Sequence, residues 1–389
     1  MNLLFIIGKY PDYGGVEKLT TLFANRFTKD LHKVYIVSFE QNEKHLLSEL
    51  DKRVDLIFLK KPVLKIGNIR QIRNLVVERK IDIIINQWCL PYYITIFSKL
   101  ISFYTSAKCV FVYHNTPKTG NLIVRAEEKY NLESKSKILR YLNFSKLVLI
   151  KNIVGLNFRL GYYYSDRYVL YVEGFGKEFM AISRLSEISK MRYIPNPVTI
   201  DRGKYLYSMS LKKKQIVWVG RLEIYQKRID RVINIWKDVE KKNADWSLLI
   251  VGDGPDREKL EKMVSDHHIA RVSFEGFQDP KSYFENASVL LLTSDFEGFG
   301  LVIVEGMNFG VIPIVYNTYC AVDEIVSDEE DGYVIPPFDK VLFEDRLEGL
   351  MRDPMERDRM AKNALQKAEC FSVDEIANMW YKLFDELKN

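Results

Sequence analysis

The sequence predicts an α/β protein made of two doubly wound parallel-sheet domains, and three observations carry that prediction. Apolar runs of strand length alternate with helix-periodic stretches along all 389 residues. Several of those runs stop at glycine-rich turns, the places where the carboxyl ends of parallel strands gather ligands. The length fits two domains, and 47% hydrophobic residues are ample for two cores. No apolar run approaches the ~18 residues of a spanning helix. Leu3 to Ile7 is too short for a signal peptide, so a cytoplasmic protein is expected. Cys89, Cys109, Cys320 and Cys370 lie far apart without metal-ligand spacing and are expected to be buried thiols in a reducing compartment.

Charge divides the chain. Residues 1–200 carry 31 Lys+Arg against 17 Asp+Glu, and the remainder 26 against 35, so a +14 half is joined to a −9 half within an overall +5. A basic half of this kind suits a polyanion, with nucleic acid and anionic membrane as the candidates.

Residues 2–7 form a strand, and Gly8-Lys9-Tyr10-Pro11-Asp12-Tyr13-Gly14-Gly15 a loop dense in turn residues, before a helical period over 16–27. Paired glycines before a helix expose backbone amides that can cradle phosphate; a plain tight turn is the other reading. Strands follow over 33–39, 54–59 and 81–85, with a basic helix over 66–80. The apolar, aromatic stretch 88–104, interrupted by Lys99, reads as a helix packed on the sheet. Residues 109–113 form a strand that delivers His114 at its carboxyl end, where a structural and a functional role both fit. Between Arg125 and Lys151, Lys and Arg are interleaved with Leu, Ile, Tyr and Phe. That pattern suits an amphipathic face on a membrane surface as well as a solvated helix with an ordinary buried stripe. The prolines of Ile194-Pro195-Asn196-Pro197 stiffen the end of a first domain at residue 198, and residues 201–214 read as a polar linker.

The second domain opens with a strand over 215–219 and Gly220-Arg221. Lys227 follows six residues later, just before a helix, so two cations are aimed at one crevice. Residues 246–251 and 272–277 are further strands. The strand 289–293 then leads through Ser294-Asp295-Phe296-Glu297-Gly298-Phe299-Gly300 into a helix over 301–309 that contains Glu305. The turn sets Glu297 at the carboxyl end of a strand, with Glu305 about two helical turns beyond it. The amides of Phe299, Gly300 and Leu301 at the helix start can donate to hydroxyl or phosphate oxygens. The plainer reading makes Glu297 a helix cap and Glu305 a solvated residue. Strands over 311–315 and 331–335 and amphipathic helices over 342–370 and 373–387 complete the chain.

Gly14-Gly15, His114, Arg221 with Lys227, and Glu297 with Glu305, in that order, resemble the pattern of the retaining nucleotide-sugar glycosyltransferases of family 4. The resemblance covers nearly the whole chain and implies the GT-B fold, two Rossmann-like domains facing each other across a cleft. Residues 1–198 would bind the acceptor, 199–370 the donor, and 371–389 would form a helix crossing back to the first domain. It further implies that Glu297 and the amides after it hold the donor sugar, Glu305 the ribose, and Arg221 and Lys227 the diphosphate. His114 would contact the sugar, and the Gly14-Gly15 loop, with Glu17 matching, would close over diphosphate and acceptor. Arg228 departs from the pattern, since a glycine commonly follows the lysine.

The implied activity moves a sugar from a nucleoside-diphosphate sugar, a UDP-sugar or GDP-mannose, to a hydroxyl of a glycan or lipid-linked glycan. The setting would be surface polysaccharide biosynthesis (capsule, O-antigen or lipopolysaccharide), peripheral on the inner face of the cell membrane. A covalent route needs a carboxylate beneath the anomeric carbon, and no residue is assignable to that role, so a front-face transfer is implied. No Asp-x-Asp stands at a strand end to hold a metal; the two cations are expected to take its place, with no cofactor. A sugar-nucleotide epimerase of the same architecture remains as an alternative. A basic nucleic-acid-binding protein is a further one, although no recognisable binding motif supports it.

Overall fold

The structure, a computed structural model, describes residues 1–12, 14–42, 45–118, 121–131 and 137–388. It divides into two compact units, residues 1–196 with 376 onward, and residues 197–375.

The strands of the first unit are β1 (Asn2–Lys9), β2 (Lys33–Glu40), β3 (Asp55–Phe58), β4 (Ile83–Asn86), β5 (Lys108–Val112), β6 (Arg167–Leu170) and β7 (Met191–Tyr193). They form one sheet in the order β3-β2-β1-β4-β5-β6-β7, every pair parallel. Parallel neighbours need crossovers, supplied by α1 (Gly15–Lys29), α2 (Ile66–Glu78), α3 (Tyr92–Ser102), α4 (Asn121–Asn131), α5 (Lys137–Tyr164) and α6 (Glu173–Ser183). Helices on both faces explain why Leu3 to Ile7 and Ile83 to Ile85 are buried without alternation. The strand expected over 2–7 runs on through Gly8 and Lys9, residues read from sequence as loop, because Lys9 still pairs with Glu40 of β2. Tyr13 of that loop lies outside the described residues. The stretch 88–104 is helical only over α3, after Pro91.

The second unit runs β8 (Gln215–Val219), α7 (Ile224–Lys227), α8 (Ile229–Val239), β9 (Ser247–Val251), α9 (Arg257–Asp266), β10 (Val272–Gly276), α10 (Lys281–Asn286), β11 (Val289–Leu292), α11 (Leu301–Met307), β12 (Ile312–Tyr316), α12 (Val322–Ile325), β13 (Tyr333–Ile335), α13 (Lys340–Arg352) and α14 (Pro354–Glu369). Its parallel sheet has the order β10-β9-β8-β11-β12-β13. The order reverses direction between β8 and β11, so their carboxyl ends open a crevice, the usual ligand site of such a sheet. The helical span expected over 342–370 is two helices. Asp353 caps α14 by accepting from the amides of Met355 and Glu356, and Pro354 occupies its first turn.

Residues 201–214 are not a free linker. The Tyr205 ring packs on Phe309 and its hydroxyl donates to the Glu285 and Phe309 carbonyls, while the Tyr207 hydroxyl donates to Asp358. Two tyrosines in a polar-looking segment supply the apolar area that draws it onto the second unit. Lys212 lies between those rings with its ammonium on the Phe284 carbonyl, and burial lowers it to about 7.

The final helix, α15 (Val373–Lys388), contributes residues 376–388 to the first unit. Trp380 meets Phe23 edge-on, Tyr381 and Phe384 lie against Phe27, and Glu386 pairs with Arg192 at 2.7 Å. Cys89 and Cys109 are buried, and burial raises Cys109 to about 11. The expectation of four buried thiols fails at Cys370, which is exposed just beyond α14, and at Cys320, which is half-buried.

Candidate active site

In the second unit the site residues come from the carboxyl ends of β8 and β11. Lys227 closes α7, and its ammonium lies 2.7 and 2.8 Å from the two oxygens of Glu297, so one cation bridges both. Glu297 is buried and also accepts from the Ser294 hydroxyl at 2.7 Å. A buried carboxylate needs such partners to hold its charge. Arg221, two residues beyond β8, is exposed, and its guanidinium forms no ion pair among the described residues. Glu305 lies on α11, buried, and accepts from the Thr199 hydroxyl. The reading of Glu305 as a solvated helix residue is therefore corrected: α11 turns this carboxylate inward.

Gly300 caps α11 at φ +92, a conformation open to glycine but not to a β-carbon-bearing residue without strain. A Cβ there would lie 2.5 Å from the Tyr319 hydroxyl. Phe299 is buried before it, its ring edge-on to Phe371, and Leu301 begins the helix. The turn is locked from below. Asp295 receives Arg228 and Arg231, its amide donates to the Gln226 carbonyl, and the Thr293 hydroxyl donates to the Arg228 carbonyl. Arg228 itself adopts φ +49, the left-handed conformation that makes glycine the common choice there. Here paired contacts to Asp230 and one to Asp295 at 3.1 Å hold the arginine in it.

In the first unit, adjacent strands β4, β5, β6 and β7 each end near a polar residue. Gln87, His114, Tyr171 and Asn196 form a hydrogen-bonded row along that edge. His114 Nδ1 contacts the Tyr171 hydroxyl, Nε2 contacts Gln87 Oε1, and Tyr171 bonds onward to Asn196. Burial lowers His114 to about 3. The neutral ring therefore donates from Nε2 to the Gln87 carbonyl and accepts from Tyr171 at Nδ1. A cavity of about 10 Å³ beside it has room for one water. Both ring nitrogens are committed within the unit, and only release of one would let His114 hydrogen-bond a ligand.

Gly14 precedes α1 with extended backbone, and Gly15 is the first helical residue. A Cβ on Gly14 would come within 2.1 Å of a Glu17 carboxylate oxygen. Burial, the largest cause, raises the Glu17 carboxyl above its usual range. Glu17 shares with Gly8, Lys9, Glu40, Lys61 and Trp88 a cavity of about 250 Å³. The Trp88 indole lies so close over Gly8 that a Cβ there would sit 2.8 Å from the ring. Lys61 stands 5.9 Å from the indole centroid and pairs with Glu40, which Lys9 also approaches at 3.6 Å. An aromatic face ringed by carboxylates and ammonium groups is suited to a polyhydroxylated ligand. Sequence reasoning missed Gln87, Tyr171, Trp88, Ser294 and Tyr319; all but Tyr319 stand within two residues of a strand's end, a signal that was available. Among the described residues, no cluster of three or more His, Cys, Asp or Glu could hold a metal ion.

Two doubly wound parallel-sheet units of this kind are the architecture of the GT-B glycosyltransferases. The chain belongs to the family 4 glycosyltransferases: residues 13–202 match "Glycosyltransferase Family 4", and residues 208–367 match "Glycosyl transferases group 1". An uncharacterized glycosyltransferase of Haemophilus influenzae is 25% identical over 386 residues, covering 97% of this chain and 98% of that one. The amylovoran biosynthesis glycosyltransferase AmsD of Erwinia amylovora is 31% identical over 172 residues, 43% of this chain and 47% of its own length. A Campylobacter jejuni N-acetylgalactosaminyltransferase, named for a diphosphoundecaprenol-linked acceptor, is 26% identical over 52% of this chain and 56% of that one. The match thus spans about half of these two relatives. Among solved structures, Anabaena HepE in complex with UDP-glucose superposes with a TM-score of 0.73 at 16% identity, covering 99% of this chain and all of that one. That likeness bears on the fold.

Proposed function

We propose that this glycosyltransferase moves a sugar from a UDP-sugar to a hydroxyl of a lipid-linked or free glycan, with retention at the anomeric carbon, in surface polysaccharide synthesis. The observation that carries the reading is the Lys227–Glu297 ion pair at the strand ends, 2.7 Å long and largely buried. The two charges neutralise each other. A donor diphosphate entering beside Lys227 would take up the ammonium, freeing Glu297 oxygens for sugar hydroxyls. Arg221, exposed at the end of β8, would supply a second cation to the leaving phosphate as its charge builds. The departing phosphate oxygen would assist deprotonation of the acceptor on the same face. Leaving-group stabilisation by these two cations would need no metal, and transfer that persists in a chelator is expected. The Trp88 cavity offers an acceptor sugar an aromatic platform. The names of two similar proteins, one titled with UDP-glucose and one with a diphosphoundecaprenol-linked acceptor, favour UDP and a lipid-linked glycan. Such an acceptor, with the +14 charge of residues 1–200, favours peripheral association on the cytoplasmic face of a membrane.

The test supplies UDP- and GDP-sugars with and without a polyprenyl-diphosphate-linked glycan. UDP release that requires the acceptor, with product NMR reporting a retained anomeric configuration, is expected. Donor isomerisation without an acceptor would favour an epimerase instead, and an inverted product would remove the retaining mechanism. Loss of either cation should cost roughly 2–4 kcal/mol of transition-state stabilisation, so Arg221→Ala and Lys227→Ala should each fall below about a tenth of the wild-type rate. Glu305→Ala should weaken UDP binding itself, whereas Glu297→Ala should leave it nearly intact and slow transfer. Equal loss of UDP affinity in both glutamate variants would refute their separate roles.

A further inference from the structure

Donors from three residues converge on the buried Glu297 carboxylate. The Lys227 ammonium takes both oxygens, and the Ser294 hydroxyl donates to Oε1. The side-chain amide of Gln226 stands 3.5 Å from Oε2, the outer limit of a hydrogen bond. Gln226 directly precedes Lys227 on α7 and is tied to three consecutive residues of the Glu297 turn. Its backbone carbonyl accepts from the Asp295 amide at 2.9 Å, and its side-chain nitrogen donates to the Phe296 carbonyl at 3.1 Å. That bond uses one amide N–H. The second is the one available to Oε2, where the Lys227 ammonium already lies at 2.8 Å. The other cations near the turn, Arg228 and Arg231, are paired with Asp295, and the Tyr319 hydroxyl donates to no described residue.

We propose that Gln226 is the positioning residue that keeps Glu297 charged and in place when Lys227 turns to a diphosphate, its second amide N–H closing onto Oε2 while Ser294 holds Oε1. The role rests on the function proposed above, in which the donor diphosphate draws off the Lys227 ammonium. Taking that cation from a buried carboxylate leaves an uncompensated charge, a costly step unless neutral donors stay behind. A carboxylate has about four lone-pair sites. Ser294 and Gln226 would fill two of them, and those that Lys227 vacates become available to sugar hydroxyls. A neutral amide suits the task, because a second cation at the same place would hold the carboxylate as tightly as Lys227 does. Without Gln226 the ion pair is harder to open. The loss therefore falls on diphosphate binding, and only where Glu297 is present to hold Lys227.

Calorimetry with UDP and GDP tests it, the tighter binder being carried through wild type, Gln226→Met, Glu297→Ala and the double variant. Gln226→Met should bind that nucleotide at least about five-fold more weakly than wild type, through loss of one hydrogen bond to a charged group. In the Glu297→Ala background the same substitution should change affinity by less than about two-fold. Ser294→Ala, which removes the donor to Oε1, should show the same dependence on Glu297. Gln226→Met with wild-type affinity would overturn the role. An equal loss in both backgrounds would overturn it too, since Gln226 would then act through the Phe296 carbonyl and the shape of the turn. Lys227→Ala separates this role from the function on which it rests. Unchanged affinity there, or wild type that binds neither nucleotide, would remove the diphosphate assignment and the role of Gln226 with it. A loss in Lys227→Ala without one in Gln226→Met would remove the role of Gln226 alone.

Discussion

His114 shows how neighbours set the chemistry of a single side chain. The folded chain keeps its imidazole neutral down to about pH 3, with burial as the cause, whereas an unfolded chain protonates it near pH 6.5. Unfolding therefore takes up a proton throughout that window, and the stability carried by the neutral ring is complete above about pH 6.5 and lost as pH falls toward 3. Wild type should lose about 1 kcal/mol per pH unit from this group between pH 6 and 4. His114→Asn should be less stable at pH 7.5, since Gln87 or Tyr171 loses its partner, but its stability should fall less steeply with acid. Urea unfolding across pH 4–7.5 measures the difference; a gap between the two proteins that does not change with pH would show that His114 is not held neutral. The Lys227–Glu297 pair is the complementary case, with opposite charges stabilised side by side.

At the scale of elements, the turn between β11 and α11 matters most for the proposed donor site. Its shape depends on Gly300 at φ +92, on the Tyr319 hydroxyl beneath it, and on the Arg228–Asp295–Arg231 contacts that fix the strand end. Gly300→Ala should cost at least about 1 kcal/mol in chemical denaturation and weaken UDP binding measured by calorimetry. The Tyr319 hydroxyl is buried with no hydrogen-bond partner among the described residues, so Tyr319→Phe alone should be nearly neutral. Combined with Gly300→Ala it should restore part of the loss by relieving the 2.5 Å approach. A Gly300→Ala protein with wild-type stability and UDP affinity would show that the turn tolerates a side chain. Strand, glycine turn and helix were all legible here, because apolar runs and glycines are local signals. The two arginines on Asp295 were not, since they sit more than sixty positions from it in sequence.

For the molecule as a whole, the chain's end completes the core of its beginning. Trp380 is 3% exposed and packs on Phe23, and Phe384 is 1% exposed against Phe27. Trp380→Ala should cost about 3–5 kcal/mol, seen as a lowered melting transition of the first unit. UDP binding at 25 °C should persist, because Lys227, Glu297 and Glu305 belong to the second unit. Unchanged melting would mean that α15 adds little to the first unit.

The sequence alone determined the two-domain α/β class, the order of the strands along the chain and the positions of Gly14, Gly15, Arg221, Lys227, Glu297 and Glu305, because period, glycine punctuation and motif spacing are properties of short segments. Tertiary structure decided what those segments meet. It folded the supposed linker onto the second unit through Tyr205 and Tyr207, turned Glu305 inward to Thr199, and tied both nitrogens of His114 to Gln87 and Tyr171. It also left one side of α5 uncovered. Burial, and with it the charge state of a histidine or a carboxylate, depends on residues brought together from distant parts of the chain, which no local pattern records.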